Sequence, residues 1–101
     1  MPLHARQLVT IIAEAEIEQA LIRDVQRLGA HGYTISDARG GGDFEVKRGG
    51  FDHDSNIRME VVCDLPTAEA IAEHVGKTYC PHYGVIVYIS EVRVLRPGKF
   101  T

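Results

Sequence analysis

Between Thr34 and Asn56 the chain reads TISDARGGGDFEVKRGGFDHDSN. Three consecutive glycines, Gly40, Gly41 and Gly42, follow a short strand-like run, and Lys47 and Arg48 stand just downstream. Glycine frees the backbone to approach a ligand and to turn its N–H groups inward, where neighbouring cations also meet negative charge. The combination points to a phosphate or another small anion held at the base of a loop. That loop, about residues 39–56, is broken again at Gly49 and Gly50. It is too long for a hairpin turn, and structureless loops of this length in small domains are usually functional or disordered.

Other residues that could do chemistry carry less. Asp52, His53 and Asp54 are all metal-ligand types, but three adjacent loop residues lack the fixed spacing of a metal site. They read as a solvated loop, and Cys80 with His82 has the same weakness. His4, His31 and His74 have no partner legible in the sequence. Glu60 falls on the polar side of a strand pattern beside Arg58 and can pair with it or meet a ligand. Tyr79, Tyr83 and Tyr88 read as core or interface aromatics. No nucleophile–base pair and no carboxylate pair emerges from the spacing, so an enzyme is not expected.

The 101 residues suit one domain, spanning 1–101. With 45% hydrophobic and 25% charged residues the composition is that of a soluble globular protein, so a packed core is expected. The formal net charge of −3 argues against nucleic-acid binding, which needs a basic face. A basic loop on an acidic protein fits a small anion better. No apolar run approaches the roughly 20 residues needed to span a bilayer. MPLHARQLV lacks the apolar stretch of a signal peptide, which makes the cytoplasm the expected compartment and membrane contact a matter for a partner. Cys63 and Cys80 are then expected to stay reduced, with Cys63 packed in a strand.

The elements that must position the loop follow from periodicity. Leu8 to Ala13 reads as a buried strand. Ile17, Leu21, Val25 and Leu28 mark one face of a helix over about Glu16 to Leu28, which Gly29 ends. Tyr33 to Ala38 alternates as a second strand. Ile57 to Cys63 is a third, with Ile57, Met59, Val61 and Cys63 on one face. Asp64-Leu65-Pro66-Thr67 starts a second helix, since Asp and Thr cap helices and Pro suits the first turn. Ala68, Ile71, Ala72, Val75 and Tyr79 line one side of it. Val85 to Leu95 is a long fourth strand.

The order βαββαβ predicts a ferredoxin-like α+β fold, a four-stranded antiparallel sheet with both helices on one face. Val85 to Ile89 and Val9 to Ile12 are apolar on both faces. Two helices cover only one of them, so the other calls for a second copy of the chain, and a homo-oligomer is expected.

With these elements in place, several segments resemble the PII signalling superfamily over nearly the whole chain. They are Gly32-Tyr33-Thr34-Ile35-Ser36, the start of the glycine-rich loop, IRMEVVC with its central Glu60, and YGVIVYISEVRVLRPGK. The likeness is greatest to the PII-like branch that holds the SbtB proteins associated with bicarbonate transporters and the carboxysome-associated PII-like proteins. The resemblance implies a homotrimer with an adenine nucleotide in each cleft between subunits. It also implies that the long loop, the T-loop, changes shape with the ligand and touches a protein partner.

Carried over by position, the resemblance puts Thr34 and Ser36 at a strand edge facing the cleft and Gly40, Gly41 and Gly42 at the T-loop base near the phosphates. Lys47 stands where relatives carry a phosphate-binding arginine. Glu60 and Val62 would lie near the nucleotide. Gly84 and Val85 match the end of a second ligand loop, and Arg96 matches a basic residue that reaches a phosphate from the neighbouring subunit. The main PII branch has Gly-Asp-Gly-Lys where this chain has His82-Tyr83-Gly84-Val85, so the lysine that would hold a triphosphate is missing. This favours ADP or AMP over ATP, and no tyrosine matches the one uridylylated in that branch. Phe44 replaces a basic residue of SbtB-type chains, against cyclic AMP. A cysteine-containing tail is not seen before Thr101. The carboxysome-associated group, with bicarbonate as a second ligand near Arg39, Lys47 and Arg48, is therefore the favoured likeness. The implied role is control of inorganic carbon uptake or fixation through a bicarbonate transporter or a carboxysome-related partner. The rival readings are a divalent-cation-binding trimer of the CutA kind and a slow nucleotide phosphohydrolase.

Overall fold

The longest strand lies inside the sheet. β1 (His4–Glu14) pairs antiparallel with β3 (Asn56–Cys63) on one side and β4 (Ile86–Val94) on the other. β2 (Thr34–Ala38) adds to the free edge of β3, giving the order β2-β3-β1-β4, antiparallel throughout. Between strands run α1 (Glu18–Arg27) and α2 (Leu65–Thr78). This is the ferredoxin-like α+β arrangement expected from the βαββαβ pattern. The structure, a computed structural model, describes residues 2–41 and 56–100.

β1 extends four residues further toward the N-terminus than its apolar run. His4 to Gln7 pair with Val94 to Glu91, so hydrogen bonding to a neighbour holds residues whose side chains gave no strand signal. The first helix starts with a 3-10 turn at Ala15–Ile17. Neither Glu14 nor Ile17 caps with its side chain, and tight i→i+3 bonding serves the free backbone groups instead. Gly29, at φ 116°, ends the helix in a conformation that favours glycine. Asp64 caps α2 by accepting the Thr67 N–H at 3.0 Å, and hydrogen bonding from the Thr67 side chain, then from its backbone, holds the Asp64 carboxyl below the usual value.

Val9, Ile11, Ala13, Ile57, Met59, Val61 and Cys63 face both helices and pack with Ile17, Leu21, Val25, Ala68, Ile71 and Val75. Burial, with the nearby Asp64 charge, pushes the Cys63 thiol up to about 11. Both cysteines are free. The helices are also joined by a polar cluster. His74 Nε2 lies 2.8 Å from the Asp24 carboxylate, the Tyr79 hydroxyl donates to the same oxygen, and Thr78 Oγ1 lies 3.3 Å from His74 Nδ1. His74 therefore has partners that the sequence did not reveal. Burial alone would raise the Asp24 carboxyl, but the Tyr79 and His74 bonds and the His74 and Arg27 charges outweigh it and hold the group low. Burial and donation to that carboxylate push Tyr79 up to about 12.

Candidate functional site

The face of the sheet away from the helices carries the candidate residues in rows. Strand register places Thr34, Glu60, Thr10 and Tyr88 side by side, and Ser36, Arg58, Ile12 and Ile86 in the next row. This follows from the two-residue period, which sends Ile35, Met59, Ile11 and Val87 to the other side. Arg58 and Glu60 form an ion pair at 3.3 Å, as their shared face allowed. Thr10 is fully buried, and its hydroxyl has no hydrogen-bond partner among the described residues.

Thr34, Glu60 and Val62 line a cleft of about 470 Å³ together with His31, Gly32, Tyr33, Lys99 and Phe100. Three residues singled out by sequence thus share one wall. Ser36 stands one row along the strand, exposed beside Arg58. Arg96 is exposed and precedes the Pro97–Phe100 turn, whose Lys99 N–H bonds to the Arg96 carbonyl at 3.2 Å. It therefore leads into the segment that bounds the cleft.

The remaining candidates collect at the other end of the sheet. Ala38 pairs with Asn56, and Asn56 with Glu14. Arg39, Gly40 and Gly41 continue from Ala38 and are exposed. The Gly84 N–H donates to the Glu14 carboxylate at 3.0 Å, which ties the segment before β4 to this end, and Val85 follows. Thr34 and Ala38 are four residues apart, about 13 Å of strand. One chain therefore carries two stations, the cleft and the loop base, and does not bring them together. Gly42, Lys47 and Arg48, with the rest of the loop to residue 55, lie outside the described residues.

The sequence reading missed His31, Tyr33, Lys99 and Phe100 as cleft residues. Tyr33 was within reach, because it immediately precedes Thr34. Lys99 and Phe100 were not, because a contact between residues 91 positions apart, Arg6 to Pro97, accompanies the fold-back of the terminal turn. Among the described residues no group of three or more His, Cys, Asp or Glu side chains is placed to hold a metal ion. No helix among them is long and apolar enough to cross a membrane.

The ferredoxin-like sheet thus carries a cleft on its open face and, at the far end of β2, a strand exit into Gly40 and Gly41. Residues 6–99 match the nitrogen regulatory protein P-II family, and the chain belongs to that family. It is similar to a PII-like signaling protein of Thermus thermophilus, with 42% identity, all of both chains covered and a TM-score of 0.85. The fold is shared with CPII, a nitrogen regulatory PII-like protein of Thiomonas intermedia. CPII bound to ADP, AMP and bicarbonate is 21% identical, with 98% of this chain and 96% of that one covered and a TM-score of 0.82. CPII bound to ADP, AMP and acetate is 22% identical, with 99% and 98% covered and a TM-score of 0.85.

Proposed function

We propose that this chain is a non-enzymatic PII-like signal transducer that binds ADP or AMP in clefts between the subunits of a homotrimer. Bicarbonate is its second ligand, near Arg39, Lys47 and Arg48. The loop of residues 39–56 passes the ligand state to a protein partner that governs inorganic carbon uptake or fixation in the cytoplasm. The observation that carries this reading is the meeting of Thr34, Glu60 and Val62 in one cleft of about 470 Å³, in a chain of the P-II family. That volume lies within the range of small-molecule sites, roughly 300–1,000 Å³. CPII, which shares the fold, binds ADP, AMP and bicarbonate.

The split between cleft and loop base supports a site shared by two subunits. The cleft of one copy meets the Gly40, Gly41, Gly84 and Val85 end of the next, and the nucleotide spans the join. Ile86 and Tyr88 on the edge strand, both on the face away from the helices, are 52% and 46% exposed, an apolar pair that a further copy would cover. Signalling follows by linkage. A nucleotide that binds one loop conformation better shifts the population toward it, and the partner reads that surface.

Titration calorimetry with ADP, AMP, ATP and cyclic AMP, with and without bicarbonate, tests the proposal. ADP or AMP should bind, and Arg96→Ala should weaken it. No heat with any nucleotide, from protein shown to be a folded trimer, would remove the reading.

A further inference from the structure

The terminal turn Pro97–Phe100 is built into the fold. A four-residue segment at the edge of a domain frays unless it is tied down. Here Arg6 Nη2 donates to the Pro97 carbonyl at 3.1 Å in a part-buried position. The Lys99 N–H bonds to the Arg96 carbonyl, and proline fixes the backbone at the start of the turn. Arg6 Nη1 donates to the Ala5 carbonyl at 2.8 Å, while Arg6 Nε is buried with no partner among the described residues. A buried donor left unpaired is unfavourable, so the guanidinium is oriented by its two outer nitrogens, one of which holds the turn.

The turn places two side chains on the cleft. Phe100 is half-buried and Lys99 exposed, with Lys99 Nζ 5.9 Å from the Phe100 ring centroid. Tyr33 lines the same cleft. Two aromatic rings on one cleft suit a planar ligand, because every nucleobase offers a π-face for stacking. Among the described residues Glu60 is the only acidic side chain lining this cleft, and Lys99 supplies the opposite charge.

We infer that the Pro97–Phe100 turn is a wall of the ligand site. Phe100 stacks on the base of a nucleotide, Lys99 adds a cation beside it, and Arg6 is the positioning residue that holds both in place through the Pro97 carbonyl. The inference rests on the nucleotide reading of the cleft and adds the class of contact and the residues that make it.

The chain has no tryptophan, so Phe100→Trp introduces a lone fluorophore at the wall. The introduced indole should be quenched by ADP, with a midpoint matching the calorimetric Kd. Phe100→Ala should weaken ADP about tenfold, within the roughly 5- to 150-fold that loss of one base–aromatic stack costs. Arg6→Met should weaken it less, about threefold for one hydrogen bond, and speed amide hydrogen exchange at Lys99. In the Arg6→Met, Phe100→Ala double variant the further loss beyond Phe100→Ala should be smaller than the loss Arg6→Met causes alone, because with the ring gone Arg6 acts only through Lys99. If wild-type protein binds ADP while the indole emission stays still and Phe100→Ala binds as tightly, the wall is refuted and the cleft reading stands. If folded wild-type protein binds no adenine nucleotide, both fall.

Discussion

Glu60 poses a question of sign, because it is an anion in a cleft proposed for an anionic ligand. Its carboxylate can serve such a ligand only by accepting a hydrogen bond from the base or the ribose, away from the phosphates. Glu60→Gln separates this from a structural role. Its ion pair to Arg58 at 3.3 Å joins side chains that are 36% and 47% exposed. Pairs so open to solvent contribute about 0–1 kcal/mol, so unfolding in denaturant should move by less than that. A hydrogen bond to a charged acceptor contributes about 1.5–3 kcal/mol. Taking the low end for a part-exposed cleft gives roughly a tenfold loss of affinity. The loss should be the same for ADP and AMP, which share base and ribose. Arg96→Ala should instead weaken ADP more than AMP, because it acts on the phosphates. Calorimetry of both variants with both nucleotides decides. Tighter binding by Glu60→Gln, or an effect on ADP alone, would show that the carboxylate faces the phosphates and refute the assignment.

Three further outcomes follow from the same structure. The Asp24 carboxyl is held low, so its contribution is complete above its ordinary value of 3.8 and is lost as pH falls through the folded value. Tyr79, raised from 10.0 to about 12, stabilises the fold below pH 10 and loses that contribution as pH rises toward 12. Stability measured in denaturant against pH should fall across that alkaline window in wild type and less in Tyr79→Phe; identical curves would rule out the coupling. Tyr88→Glu puts a charge in the exposed apolar pair of β4 and should convert the trimer to smaller species in sedimentation, whereas an unchanged sedimentation coefficient would place the subunit contact elsewhere. Cys63 is 1% exposed with its thiol pushed up to about 11, so at pH 8 it should react with a thiol reagent only after denaturant is added. Rapid labelling of Cys63 in folded protein would show that the strand opens.

Much of the fold was legible because local rules and burial agreed. The Ile57, Met59, Val61 and Cys63 alternation marked a strand with one buried face, and that face packs on the helices. The Asp64 cap, the proline in the first turn and the stop at Gly29 each act through neighbours in sequence, so they too could be read directly. What escaped depends on contacts between distant residues. Asp24, His74 and Tyr79 lie on two helices and meet only when those pack. The first four residues of β1 are held by pairing to β4, and their side chains do not alternate in polarity. At the site, Thr34, Glu60 and Val62 were carried by a resemblance, and register explains why they stand together. Phe100 had no such route, because its position follows from a turn tied to Arg6.

The division of the candidate residues between two ends of the sheet has a thermodynamic consequence. Thr34, Glu60 and Val62 line the cleft, while Gly40 and Gly41 leave the sheet about 13 Å of strand away and Gly84 is tied to Glu14 at that far end. On the proposed reading a nucleotide needs both groups, so it binds only where two copies meet. A ligand that binds the assembly and not the separate chain stabilises the assembly, by about 2.7 kcal/mol per site at a hundred times its Kd. Saturating ADP should therefore lower the protein concentration at which the trimer dissociates, and the shift should grow with the logarithm of ADP concentration. Sedimentation across a dilution series, with and without ADP, measures it directly. If ADP binds and the dissociation midpoint stays fixed, the whole site lies within one chain. Gly40, Gly41 and Gly84 would then have no part in holding the nucleotide, and their placement would serve only the loop that leaves from Ala38.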